Sequence, residues 1–322
     1  MALSGSCKFQ IIADPLNPIC LKKLLLASES QTDMAEELKI KGTLIPIGGN
    51  EDKNIDINER YTHDFIEDGI LSHVVRESGG KDAKIVVVPT ASSIPVEVGE
   101  NYVHAFNELG CKNVKVLQIR NRIHSGNTEY IKAIEEADCI MFGGGDQSKI
   151  VAAMGNTRMH QLIVDKYHNS GFVIAGTSAG AMCMSHEMIA GGSSTDALVK
   201  GAVRLGSGMG FLPKTIIDSH FIQRARFGRL AEAIAAFPNL IGIGLAEDTG
   251  VIVKEGVYLR VIGSGMVILF DGSTLTHNNH AILKMGTPMS ISDLKVHILA
   301  NGDRYDLETR QVVVLPMASK FE

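Results

Sequence analysis

The stretch from Phe172 to Met184 constrains what this chain can fold into more than any other. Phe172-Val173-Ile174-Ala175 is a short apolar run suited to a buried parallel strand, and Ala179 to Met184 are small or helix-forming residues. Between them lies Gly176-Thr177-Ser178-Ala179-Gly180, a Gly-x-Ser-x-Gly turn. Gly176 and Gly180 carry no Cβ to clash where the chain reverses, so the central serine can stand exposed at the carboxyl end of the strand. The N-terminus of the following helix turns free N–H groups toward the same point, and the amide of Ala179 is placed to donate to a developing oxyanion. This reads Ser178 as a nucleophile. The rival reading is a small-residue turn that lets helix and strand pack closely, and the rest of the chain must supply a base and an orienting acid to decide between them.

The same alternation runs through the chain from Gly42. Thr43 to Ile47 reads as a strand ending in Gly48-Gly49. Lys84 to Val88 is a second strand, Val114 to Gln118 a third, and Asp138 to Phe142 a fourth that stops at Gly143-Gly144-Gly145-Asp146-Gln147. A helix is expected from about Val96 to Leu109. Lys214 to Asp218 and Leu240 to Ala246 are further strands, with a helix over Gln223 to Ala236 between them. From Val251 onward the segments are short and turn-separated, as in Val257 to Ile262, Val267 to Phe270 and Lys295 to Leu299. The expected fold is therefore α/β: a mostly parallel central sheet with helices on both faces, a strand–turn–helix elbow at Ser178, and C-terminal β-hairpins. Such sheets place their ligands outside the carboxyl ends of the strands. Residues 1–41, broken by Pro15 and Pro18 and then polar from Ser28 to Gln31, read as an N-terminal extension without assigned chemistry; 42–322 read as one domain.

Composition excludes several function classes. With 45% hydrophobic residues in a chain of 322, a large core can be buried. A net charge of −5 without a long basic run argues against a nucleic-acid partner. Cys7, Cys20, Cys111, Cys139 and Cys183 are scattered and odd in number, which fits free thiols in a reducing compartment. The histidines make no metal signature, and the triple glycine matches neither the phosphate-loop pattern nor Gly-x-Gly-x-x-Gly, so no metal and no cofactor are expected. No apolar run approaches the roughly 20 residues needed to span a bilayer, and the N-terminus lacks the order of a secretory signal. A cytoplasmic protein without a membrane partner is the expectation.

A serine hydroxyl is a poor nucleophile near neutral pH unless an imidazole accepts its proton and an acid fixes that imidazole. His220 and Glu247 follow consecutive expected strands, where such groups belong. Asp196 rivals Glu247, but sits in the Gly191 to Thr195 region with no strand to fix it. The second oxyanion donor is expected from the glycine loop, at Gly144 or Gly145. Arg224, Arg226 and Arg229 fall within six residues just after His220 and next to Asp218, so they read either as a solvated helix face or as a clamp for carboxylates. The order serine, histidine, acid is not that of the α/β-hydrolases, and an amidotransferase-like site would need cysteine at position 178.

Taken together, Gly176-Thr177-Ser178-Ala179-Gly180-Ala181, Asp218-Ser219-His220-Phe221 followed by Arg224-x-Arg226-x-Gly228-Arg229-Leu230, Gly143-Gly144-Gly145-Asp146-Gln147, and Gly48-Gly49-Asn50-Glu51-Asp52-Lys53 resemble the cyanophycinase family of serine peptidases over about residues 42–315. The resemblance implies hydrolysis of cyanophycin, a poly-aspartate backbone bearing arginine on its β-carboxyls, to β-Asp-Arg dipeptides. It implies Ser178 as nucleophile, His220 as base and Glu247 as orienting acid, with Gln147, Asp218, Ser219, Arg224, Arg226 and Arg229 lining the substrate pocket, and a homodimer as the assembly. Asp218 or another acid would receive a substrate guanidinium. Ser219 stands where many members carry glutamine, and residues 1–41 fall outside the match. Two other readings stay open: an aspartyl or isoaspartyl dipeptidase acting on short peptides, and a catalytically silent binding relative.

Overall fold

The computed structural model describes residues 39–55, 64–65, 67–192 and 198–316. Most of the expected N-terminal extension lies outside these residues, as do Asp196, Cys7 and Cys20. The fold below belongs to the unit Ile40–Glu322.

Its first half alternates as the sequence predicts: β1 (Thr43–Ile47), α1 (Ile70–Glu77), β2 (Ile85–Val88), α2 (Pro95–Glu108), β3 (Val114–Val116), α3 (Thr128–Glu136), β4 (Cys139–Phe142), α4 (Gln147–Met154), α5 (Arg158–Asn169) and β5 (Val173–Thr177). Asn127, Asp146 and Thr157 start α3, α4 and α5 by accepting hydrogen bonds from backbone amides of the first turn. The strands are parallel in the order β1-β5-β4-β2-β3. Their side chains divide by the period of two: Leu44, Val86, Ile140 and Ile174 face α3, α4 and α5, while Ile45, Val87, Met141 and Ala175 face α1 and α2. Both faces are thus dry, as a parallel sheet requires.

After β5 come the short helix α6 (Ala179–Met182), then β6 (Glu187–Gly192), β7 (Val203–Ser207), β8 (Thr215–Asp218), α7 (Phe227–Ala236), β9 (Ile241–Leu245), β10 (Thr249–Lys254), β11 (Tyr258–Gly263), β12 (Val267–Asp271), β13 (His277–Asn278), β14 (Ile291–Ser292), β15 (Lys295–Leu299), β16 (Arg304–Asp306) and β17 (Gln311–Val313). The C-terminal hairpins extend the main sheet beyond β1, in the antiparallel order β10-β11-β16-β17.

The strands carrying His220 and Glu247 are indeed consecutive and parallel, but they belong to a second sheet, β15-β12-β9-β8. The pleat explains how that sheet is held. Ile217, Ile243 and Leu269 join the core on the α3–α5 side of the main sheet, whereas Ile216, Ile268 and Phe270 pack against Leu230 and Ile234 of α7. The β6–β7 hairpin is not foreseen by the sequence reading; it takes in Gly191 and Gly192, which that reading assigns to a loop. The helix expected from Gln223 starts only at Phe227. Ala225 has φ 50°, and the amides of Arg224 and Arg226 bond to the carbonyls of His220 and Phe221, so 221–226 is a turn rather than a first helical turn.

Candidate active site

Ser178 follows β5 with φ 51° and ψ −109°, a region that a residue with a Cβ enters at a cost of roughly 1–3 kcal/mol. Surrounding structure holds it there. The Ser178 amide donates to the Ile47 carbonyl at 2.8 Å. A Cβ on Gly180 would lie 2.4 Å from the Phe142 carbonyl oxygen, and one on Gly176 would lie 2.5 Å from the Gly180 carbonyl oxygen, so the glycines of the turn let α6 approach the sheet.

The serine hydroxyl thereby stands 2.9 Å from Nε2 of His220, and Nδ1 of His220 lies 2.7 Å from Oε1 of Glu247. The three residues expected from the sequence form one hydrogen-bonded line, although two come from the second sheet. Burial, the larger effect, pushes the His220 imidazolium below its ordinary pKa; the hydrogen bond to Glu247 opposes this and the Arg224 charge reinforces it. A neutral imidazole facing a hydroxyl is what proton abstraction needs.

The loop after β1 joins the two halves of this line, and sequence reasoning assigned it no role. The Gly48 carbonyl accepts from the His220 amide at 2.8 Å, and the Gly49 carbonyl accepts from the Asp248 amide at 2.9 Å. Asn50 Nδ2 donates to Glu247 Oε2 at 3.3 Å. Glu51 is buried; its Oε2 accepts from the Thr177 hydroxyl at 2.5 Å, and its Oε1 accepts from the Tyr102 hydroxyl at 2.5 Å and pairs with Lys53 Nζ at 2.7 Å. Burial raises the Glu51 carboxyl, but the Lys53 charge and the hydrogen bonds from Lys53, Thr177 and Tyr102 together hold it below its ordinary value. The available signal was the close packing of polar types in Gly48-Gly49-Asn50-Glu51-Asp52-Lys53 at a strand's carboxyl end.

The expected oxyanion donors converge on Ser178. Ala179 opens α6, and a Cβ on Gly144 would lie 3.5 Å from Cβ of Ser178, so the glycine loop runs beside Ser178. Bonds from the Gly143 amide to Val88 and from the Asp146 amide to Ala91 fix that loop. Among the described residues, the amides of Ala179, Gly144 and Gly145 engage no protein acceptor.

A cavity of about 400 Å³ opens beside Ser178 and is lined by Asn50, Lys53, Asn101, Tyr102, Gly144 and Arg224, among others. Of the six residues expected to line the pocket, Arg224 does so. Asp218 is fully buried and both its oxygens are taken: Arg229 donates through Nε to Oδ2 at 2.8 Å and through Nη2 to Oδ1 at 2.5 Å, and Arg226 donates to Oδ1 at 3.1 Å. It anchors two arginines and cannot also accept a substrate guanidinium in this arrangement. Arg226 donates in addition to the Ser219 carbonyl at 2.7 Å. The Ser219 hydroxyl is buried against Met182 Sδ at 3.3 Å, away from the cavity. Gln147 is also buried and donates to the Ile189 carbonyl at 2.6 Å, tying the glycine loop to β6. Among the described residues, no group of three or more His, Cys, Asp or Glu is arranged to hold a metal ion.

Residues 63–261 match the family described as peptidase family S51. Over 285 residues the chain is 35% identical to the cyanophycinase of Geminocystis herdmanii, spanning 88% of this chain and 98% of that protein. The chain belongs to peptidase family S51. As an S51 peptidase it is a hydrolase, and a serine as nucleophile fits the family. Similarity to a second cyanophycinase is also broad: that of Trichormus variabilis is 34% identical over 273 residues, 85% of this chain and 88% of that one. A peptidase from an acI-B1 Actinobacterium, known from its crystal structure, superimposes with a TM-score of 0.56 at 19% identity, over 80% of this chain and 98% of that one, and so shares the fold.

Proposed function

We propose that this S51 peptidase hydrolyses cyanophycin to β-Asp-Arg dipeptides through an acyl-enzyme on Ser178. The observation that carries the reading is the continuous line Ser178 Oγ–His220 Nε2–Nδ1–Glu247, at 2.9 and 2.7 Å, in a chain a third identical to cyanophycinases over most of its length. His220 takes the proton as Ser178 attacks the scissile carbonyl, and Glu247 stabilises the imidazolium that forms. The negative oxygen of the tetrahedral intermediate would sit among the amides of Ala179, Gly144 and Gly145, each such donor being worth about 10²–10³-fold in rate. His220 then protonates the leaving amine, and a water activated by the same imidazole releases the acyl group. Arg224, open on the cavity, supplies a cation for the carboxylates of the polymer. Arg226 and Arg229 act behind it, through Asp218, by fixing the turn that carries His220.

The proposal extends to a homodimer in the cytoplasm; Cys111, Cys139 and Cys183 are unpaired, in keeping with a reducing compartment. Light scattering on the purified protein tests the assembly. For the activity, the purified enzyme is expected to clear a suspension of insoluble cyanophycin with release of dipeptide, while a folded Ser178→Ala variant leaves the suspension turbid. Equal clearing by that variant would remove Ser178 from the mechanism.

A further inference from the structure

Beside Ser178 the cavity contains a lysine held in an unusual way. Lys53 Nζ pairs with Glu51 Oε1 at 2.7 Å, donates to the Glu51 carbonyl at 3.2 Å and lies 5.1 Å from the centre of the Tyr102 ring. An ammonium has three N–H donors. Glu51 takes two of them, and the head remains partly exposed on the cavity wall. Glu51 also borders the cavity, but its side chain has no exposed surface, because Tyr102, Thr177 and Lys53 occupy its two oxygens. Across the cavity, the Arg224 side chain makes no hydrogen bond or ion pair with another described residue. The wall thus presents two cationic heads with donors to spare and no open carboxylate.

A surface lysine ordinarily loses side-chain entropy when it grips a ligand. Here that ordering is already done by Glu51 and by the face of Tyr102. We propose that Lys53 is a specificity-determining residue: it takes a free carboxylate of the substrate within the cavity beside Ser178, with Glu51 as the residue that positions it. The inference rests on the peptidase site proposed above and adds to it which substrate group the cavity selects. A charge-assisted N–H···O bond of this kind favours the acid over its neutral amide by about tenfold or more.

The test measures binding, so that it does not depend on turnover. In the Ser178→Ala background, β-aspartyl-arginine and the same dipeptide with its carboxylates amidated are titrated by calorimetry. The free acid is expected to bind at least about tenfold more tightly. Lys53→Met alone would leave Glu51 as a buried charge without its cation, so the substitution is combined with Glu51→Gln, which removes both charges together and leaves an amide that can accept from one of the Thr177 and Tyr102 hydroxyls and donate to the other. The double substitution should lower the ratio of affinities by about tenfold, leaving only the share that Arg224 supplies, and Lys53→Arg should preserve a preference for the acid. A parent that shows no such preference, or a double variant that keeps it in full, overturns the role of Lys53. So does loss of the preference on Arg224→Gln with retention in the double variant, since Arg224 would then hold the carboxylate by itself. Cyanophycin clearing by the wild type is read separately. Clearing with an unchanged ratio rejects Lys53 and keeps the peptidase reading, whereas a collapsed ratio without clearing rejects the polymer and keeps Lys53.

Discussion

Gly49 lies against the imidazole of His220: a Cβ at position 49 would stand 2.4 Å from Cε1 and 2.6 Å from Nε2, the nitrogen that faces Ser178. Gly49→Ala therefore cannot be accommodated without moving the imidazole, and its φ of +108° adds backbone strain. The variant is expected to unfold about 1–3 kcal/mol more easily and to lose at least about a hundredfold in kcat, since a displacement of about 1 Å carries that cost. Gly79→Ala is the control. Gly79 has φ +101° with open space around it, so alanine there should lower stability and leave kcat alone. Equal kcat in the two variants would show that the imidazole has room to spare.

The pH dependence follows from His220. Its pKa is lowered from 6.5, first by burial, with the hydrogen bond to Glu247 raising it and the Arg224 charge lowering it further. A general base works when neutral, so kcat/KM should fall as pH drops through this lowered value, with the acid limb below about 6.5. Arg224→Gln removes a cation that disfavours the protonated ring, so the limb should move to higher pH. A limb that stays in place or moves down would show that Arg224 does not act on the ring.

Glu247→Gln tests the orienting acid. The amide is nearly isosteric with the carboxylate but has no charge to match the imidazolium. A fall in kcat of about 10²–10⁴-fold is expected with little change in the unfolding midpoint. An effect below about tenfold would mean that the bond from His220 to Glu247 is structural only.

Asp218 gives a prediction of the opposite kind. Because it is buried between Arg226 and Arg229, Asp218→Asn leaves buried Arg229 without its anion. The expected cost is about 3–5 kcal/mol of stability, measured by denaturant unfolding. A residue that took a substrate guanidinium would instead raise KM and leave the midpoint nearly unchanged.

Local chemistry made much of this legible in the sequence. The parallel half of the sheet could be read because each strand is a short apolar run and each helix between has its own cap or period. The Ser178 turn could be read because two glycines bracket a serine between strand and helix. Sheet membership could not be read: β8 and β9 look like any buried strand, and it is their ladder with β12 and β15, together with the packing of Ile216 on α7, that separates them from the main sheet. The pocket was hardest, because a charged residue's role depends on its partners. Arg224, Arg226 and Arg229 look alike as a string, yet Asp218 claims two of them and leaves the third. Lys53 drew no attention for the converse reason, since its partner Glu51 and its cavity become visible only when Tyr102, distant in sequence, is packed against them.

Ser178 follows a strand of one sheet, and His220 and Glu247 follow strands of another that is completed only by β15, at Lys295–Leu299. A chain with only the parallel half formed holds a serine in a strained turn and no imidazole to take its proton. Such a chain lacks the proposed base and acid, so on the proposed mechanism hydrolysis begins only once the two sheets dock.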